Sequence, residues 1–296
     1  MRGLPTAVMA GAMAMGAVLH TPAWAQRPLK VYISSDMEGI AGIVSMEQTG
    51  PGPDYEWARH LMTAEVNAAV GAAFDAGASE VVVNDAHGSH TNIKADELDA
   101  RATLITGTPT PRGMMEGIDS SFGAVLFVGF HARAGTAAAI IDHTYTLGIN
   151  DVKLNGQEVG EYGLNAALAG YYGVPVVFMS GDRAGTEQIR TLVPGIETVA
   201  VKDAITRFAA HTMTPQAART AIAAGVHTAL ARRAGIQPVR MTAPITEEFE
   251  LSNSGYADNV AMIPGSRRTG GRTVTYVAPD MVAAYRVSRL VAMLTH

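Results

Sequence analysis

The chain has 296 residues, with 22 Lys and Arg, 27 Asp and Glu, no cysteine and a formal net charge of −5. There is no basic excess for a nucleic-acid or anionic-membrane partner, and no disulfide to support the fold. Apolar residues make up 48% and charged ones only 17%, so stability must come from core burial, metal or subunit contacts.

Arg2, an apolar stretch from about Ala7 to Leu19, and Ala23-Trp24-Ala25 stand in the order of a secretory signal peptide. Residues 1–25 are therefore expected to be removed and the protein to be periplasmic or secreted. The apolar stretch is too short for a membrane span, and nothing later reaches about 18 unbroken apolar residues. Residues 29–35 read as a strand, and Pro51-Gly52-Pro53 as a loop. Residues 55–76 read as a helix carrying Trp57, Leu61, Val66, Val70 and Phe74 on one face, with Gly77 as C-cap. Short β-branched runs at 80–84 and 124–130 read as buried strands. After them come strands at 145–149 and 152–154, and Asn155-Gly156 signals a type I′ hairpin. Residues 161–172 read as helix, 174–179 and 198–201 as strands. Thr214-Pro215 opens a helix to about residue 233. Strands near 239–241, 246–251 and 273–277 precede a last helix, 281–294, capped by Asp280. The alternation predicts an α/β fold, with a partly parallel sheet flanked by helices and a smaller α+β C-terminal part. The expected division is 1–25 leader, 26–205 catalytic domain and 206–296 C-terminal region.

Five residues at the ends of these elements suit a metal: Asp36 and Glu38 in Ser-Ser-Asp-Met-Glu-Gly, His87, His131 and Glu161. Positions 36 and 38 face one side of an extended backbone, and Gly39 lets the chain turn away. His87 and His131 follow buried runs, where open α/β sheets place their sites. Glu161 opens a helix, where a carboxylate is favoured. Imidazole and carboxylate ligands without thiolate fit zinc. Three carboxylates carry −3, which two zinc ions neutralise and one does not need, so the set predicts a two-metal hydrolase centre. Taken singly, Asp36 and Glu38 also read as loop caps, and each histidine as a structural one.

Ser35-Asp36-Met37-Glu38-Gly39, Asn84-Asp85-x-His87, Met115-Glu116-Gly117, Gly129-x-His131-Ala132 and Gly160-Glu161-x-Gly163-Leu164-Asn165 together resemble the zinc D-aminopeptidase family, the type found with bacterial dipeptide-transport operons. The resemblance runs in order from about Leu29 to the final helix. It implies two zinc ions held by Asp36, Glu38, His87, His131 and Glu161, with Asp36 bridging. It implies a catalytic role for His143, as acid, base, oxyanion stabiliser or nucleophile, and a ring-shaped homo-oligomer, a decamer in the family. The segment from His131 to His143 is one residue longer than the family pattern, and the leader departs from cytoplasmic members.

The expected reaction is metal-assisted hydrolysis at the N-terminus of a short peptide or aminoacyl amide, with D-Ala as an example. Asp85 and Asp142 read equally as imidazole-orienting partners and as turn caps. Arg133 reads equally as a carboxylate contact and as a surface ion pair. His60, His90, His211 and His227 are given no role. The rivals are a metal amidase acting on cell-wall fragments and a periplasmic solute-binding protein with a structural metal.

Overall fold

The computed structural model describes residues 28–295, with Met1 and Gly3. The leader expected over 1–25 lies outside the described residues.

Strands β1 (Leu29–Ser35) and β2 (Ala78–Asp85) pair in parallel, joined by α1 (Pro53–Asp75). A short β3 (Thr103–Ile105) extends this edge. β4 (Ala124–Phe130) then returns to the other side of β1. β5 (Ile149–Leu154) and β6 (Gln157–Glu158) form a hairpin, followed by α2 (Glu161–Tyr171). β7 (Val176–Asp182), α3 (Arg183–Leu192), β8 (Glu197–Thr206) and β9 (Ala209–Thr212) complete a seven-stranded sheet in the order β3-β2-β1-β4-β7-β8-β9. Its pairings are parallel except β8 with β9. The order reverses between β1 and β4, the switch point at which α/β sheets open a crevice beyond their carboxyl ends.

After α4 (Pro215–Arg232) come β10 (Ile245–Leu251), α5 (Ser254–Val260), β11 (Arg267–Arg268), β12 (Thr273–Ala278) and α6 (Met281–Leu294). A second, antiparallel sheet runs β11-β12-β10-β5-β6. The division expected at residue 205 thus falls inside β8, and the smaller sheet takes strands from both sides of it. No helix among the described residues is long and apolar enough to cross a membrane.

The expected α/β class, the first strand, the 124–130 strand and the last helix stand where the sequence put them. Both hairpin residues adopt positive φ, 50° at Asn155 and 81° at Gly156, as a type I′ turn requires. In α1 the buried stripe is Ala58, Met62, Val66, Ala69, Val70 and Ala73, one position round from the expected face, and Trp57 is 46% exposed. The strand expected at 145–149 does not form. Tyr145 sits at φ 61° and its N–H donates to a Glu161 carboxylate oxygen (2.5 Å), which turns the chain around the site. Residues 239–241 are irregular, because the Val239 backbone fills the space beside Gly170.

Candidate metal centre

Asp36 and Glu38 lie on the turn after β1, and the turn is locked against the end of β4. Asp36 N–H donates to Val128 O and Gly39 N–H to Gly129 O, each at 2.8 Å. A Cβ at Gly39 would stand 2.0 Å from Phe130 O, so only glycine fits. The Lys202 ammonium, buried on β8, donates to the carbonyls of Glu38, Ile40 and Ile43. Burial pushes Lys202 down to about 8, although Asp182 and Glu65 favour its charge. Nothing local in the sequence marks Lys202 for this task.

His87 follows β2, His131 follows β4, and Glu161 opens α2. The structure brings all five expected ligands together, and His143 with them. His87 Nδ1 lies 3.1 Å from Asp36 Oδ1 and 3.0 Å from Glu38 Oε2. His131 Nε2 lies 3.4 Å from Asp36 Oδ2 and 3.5 Å from Glu161 Oε2. His143 Nε2 is 3.7 Å from Glu161 Oε1 and 4.0 Å from Glu38 Oε1. Donor atoms of Asp36, Glu38 and His131 fall within 4.8 Å of one another, and so do those of His131, His143 and Glu161. His143 therefore stands close enough to share the ligand set.

The far side of each ring decides what the near side offers. His87 Nε2 faces Thr49 O (2.7 Å), His131 Nδ1 faces Ala132 O (2.8 Å) and His143 Nδ1 faces Ile141 O (2.8 Å). A carbonyl only accepts, so those nitrogens carry the proton. Each neutral ring then turns a bare lone pair toward carboxylates, an arrangement that repels unless a cation lies between. Asp36 Oδ2, Glu38 Oε2 and His131 Nε2 are buried with no hydrogen-bond partner. Orphaned, inward-facing acceptors of this kind fit a bound metal.

Where no cation lies between them, the carboxylates draw protons onto the rings in its place. Burial would lower His131, but the Glu161 and Asp36 carboxylates hold it well above its ordinary value. Burial likewise opposes His87, and Glu38 and Asp36 raise it. Burial would raise Glu161, yet the His131 and His143 rings hold it down at about 2. Burial, with Glu38 alongside, raises Asp36. The site is thus a buried cluster of acids that demands positive charge.

Several other expectations resolve. The Asp85 carboxylate bonds to Asn92 and Ile93 rather than to an imidazole. Asn92 Nδ2 also donates to His87 O, so Asp85 braces the His87 loop. Asp142 accepts from Gly135 N–H and Arg207 Nε rather than from His143. Arg133 pairs with Glu158 and, at 3.8 Å, with Asp151. Glu116 holds Arg112 N–H (2.8 Å), so the Met-Glu-Gly motif is structural.

A cavity of about 260 Å³ opens beside the cluster, lined by Asp36, His87, His143 and Glu161 and also by Tyr145 and Arg289. A larger one of about 380 Å³ lies near the start of β1 and contains no acid or imidazole.

Residues 29–290 match a peptidase family described as D-aminopeptidase. A D-aminopeptidase from Bacillus subtilis (strain 168) is 36% identical over 260 residues, covering 87% of this chain and 94% of that relative. The solved structure of the Zn-dependent D-aminopeptidase DppA from Bacillus subtilis, described as a self-compartmentalizing protease, is similar with a TM-score of 0.88 at 35% identity. It covers 90% of this chain and 98% of that one.

Proposed function

Because the chain belongs to the D-aminopeptidase family, a family of metallopeptidases, we propose that it is an exported enzyme that holds two zinc ions and removes N-terminal D-amino acids, such as D-Ala, from short peptides or aminoacyl amides. The observation that carries this reading is the buried set of three carboxylates facing three imidazoles whose outer nitrogens are tied to carbonyls.

Asp36, Glu38, His87, His131 and Glu161 would hold the metal, with Asp36 between the His87 and His131 halves of the cluster. When bound, zinc supplies Lewis acidity, which polarises a scissile carbonyl and makes water acidic enough to attack near neutral pH. The chain's own residues do the rest. The free α-amine of the substrate, which an N-blocked peptide lacks, would bind at the metal cluster or to a carboxylate oxygen beside it. His143 keeps its Nδ1 proton on Ile141 O, which leaves Nε2 facing the cavity to take up a proton and pass it to the departing amine. Tyr145 and, on α6, Arg289, Ala292 and Met293 line the cavity beside these groups.

Three further readings accompany the activity. The small charged fraction and the description of the neighbour as self-compartmentalizing support a homo-oligomer, a decamer by resemblance. The order of Arg2, the apolar stretch and Ala23-Trp24-Ala25 supports export, with mature protein starting at Gln26. The zinc count rests on charge: two ions bring +4 to three carboxylates.

The deciding experiment combines metal analysis with hydrolysis of D-Ala and L-Ala dipeptides and their N-acetylated forms. The expected result is about two zinc ions per chain and turnover only of free-amine D-peptides. Hydrolysis of N-blocked wall fragments at equal rate would favour the amidase instead. Light scattering that reports a monomer, or exported protein whose mass retains Met1, would overturn the accompanying readings.

A further inference from the structure

We propose that Arg289 is the specificity-determining residue that grips the free α-carboxylate of a short peptide, making the enzyme selective for substrates about two residues long with an unblocked C-terminus. This rests on the aminopeptidase reading above.

Arg289, on α6, lines the same cavity as the metal cluster. Among the residues lining that cavity it is the one with a permanent positive charge. It makes no ion pair with any carboxylate among the described residues, and its Nε is buried without a hydrogen-bond partner. Arg133, Arg207 and Arg272, by contrast, each meet an acid. Arg289 is half-buried, and its buried Nε keeps a donor for an anion that enters the cavity.

The side chain is also held in place. A Cβ at Gly113 would stand 2.4 Å from Arg289 Nε and 2.7 Å from its Cζ, so the turn backbone packs directly on the guanidinium. Gly113 itself is anchored by Asn84 Nδ2, which donates to its carbonyl (2.9 Å). The Tyr145 ring lies 5.9 Å from Cζ. Little of the entropy of a free arginine therefore remains to be lost on binding.

The cavity is thus lined both by the metal cluster and by a guanidinium held through packing. A short peptide whose free α-amine sits at the metal cluster brings its own carboxylate toward the arginine. The planar fork of Arg289 suits a carboxylate bidentately. At about 260 Å³, the cavity is below the roughly 300–1,000 Å³ of sites for drug-sized ligands. It fits two small residues better than a long chain.

The test compares D-alanyl-D-alanine with its C-terminal amide, which differ only in the charge that Arg289 would read. In the wild-type holoenzyme kcat/KM should favour the free acid by about 10- to 10²-fold, the worth of a charge-assisted hydrogen bond, mainly through KM. In Arg289→Met the ratio should collapse to about one, and Arg289→Lys should restore part of it. Zinc content and melting temperature report folding; if the Met variant does not fold, Arg289→Gln and Arg289→Lys carry the same ratio test. A wild-type ratio near one, or a ratio that survives in Arg289→Met, overturns the proposal. Wild-type enzyme that turns over neither compound overturns the aminopeptidase reading itself.

Discussion

The rings of His131 and His143 stack face to face, with 4.2 Å between centroids and 10° between planes. Each is fixed at Nδ1 by a backbone carbonyl, so both Nε2 atoms point into one space. Twelve residues separate them in the chain, yet the stack makes the orientation of one depend on the other. It also carries the longer segment between them, where Asp182 accepts from Ile140 N–H (3.1 Å).

His143→Ala is expected to lower kcat by about 10²- to 10⁴-fold, the usual worth of a positioned acid or base. KM should change little and zinc content should be kept, because the five other ligands remain. Steady-state kinetics beside elemental analysis checks this. Loss of zinc with the ring would instead make His143 a ligand, as its distance to Glu161 permits.

Asp36→Ala should lose most of the bound zinc, because Asp36 faces His87 through one oxygen and His131 through the other. His87→Ala should lose less, since it removes a contact from one half of the cluster. Metal content after dialysis, measured by mass spectrometry, decides between them; full retention in Asp36→Ala would remove the bridging role.

Gly39→Ala tests how the ligand turn is held. The added methyl would sit 2.0 Å from Phe130 O, so the turn must move. Overpacking of this kind costs about 1–3 kcal/mol, or a melting temperature lower by several degrees. Zinc content should fall with it. An unchanged melting temperature with full zinc would show that the turn has slack.

Glu247 gives a pH dependence away from the site. It is buried between β10 and α6, with Ser288 donating to Oε1 (2.6 Å) and Oε2 unpartnered. Burial pushes its carboxyl up to about 8, against 4.5 ordinarily. Between these values the folded protein keeps a proton that the unfolded chain has released. The resulting stability is present in full below about pH 4.5 and is lost as pH rises to about 8. Glu247→Gln should therefore raise the melting temperature by more at pH 8 than at pH 5. Thermal unfolding at the two pH values checks it, and an equal shift at both would count against a protonated Glu247.

The sequence by itself determined what is local. The strand Leu29–Ser35, the Asn155-Gly156 hairpin and the Asp280-capped final helix were legible because periodicity, caps and turn residues act over a few positions. The five residues that converge were legible because each stands at the boundary of such an element. Among the elements not read are β3, whose three residues show no periodicity, and the short helices α3 and α5, although Asp182 and Asn253 cap their first turns. The strand expected at 145–149 failed because Glu161 captures the Tyr145 N–H, a contact no local pattern encodes.

Only the tertiary structure decided how the ligands converge. The reversal of strand order between β1 and β4 brings Asp36 beside His131, and Thr49 O settles which nitrogen His87 turns inward. Lys202 reaches the Glu38 turn from β8, and Arg289 reaches the cavity from the last helix. Nothing local in the sequence marks either residue for its place. Long-range packing gives them their tasks, because desolvation forces a buried charge to find its partner wherever the fold supplies one.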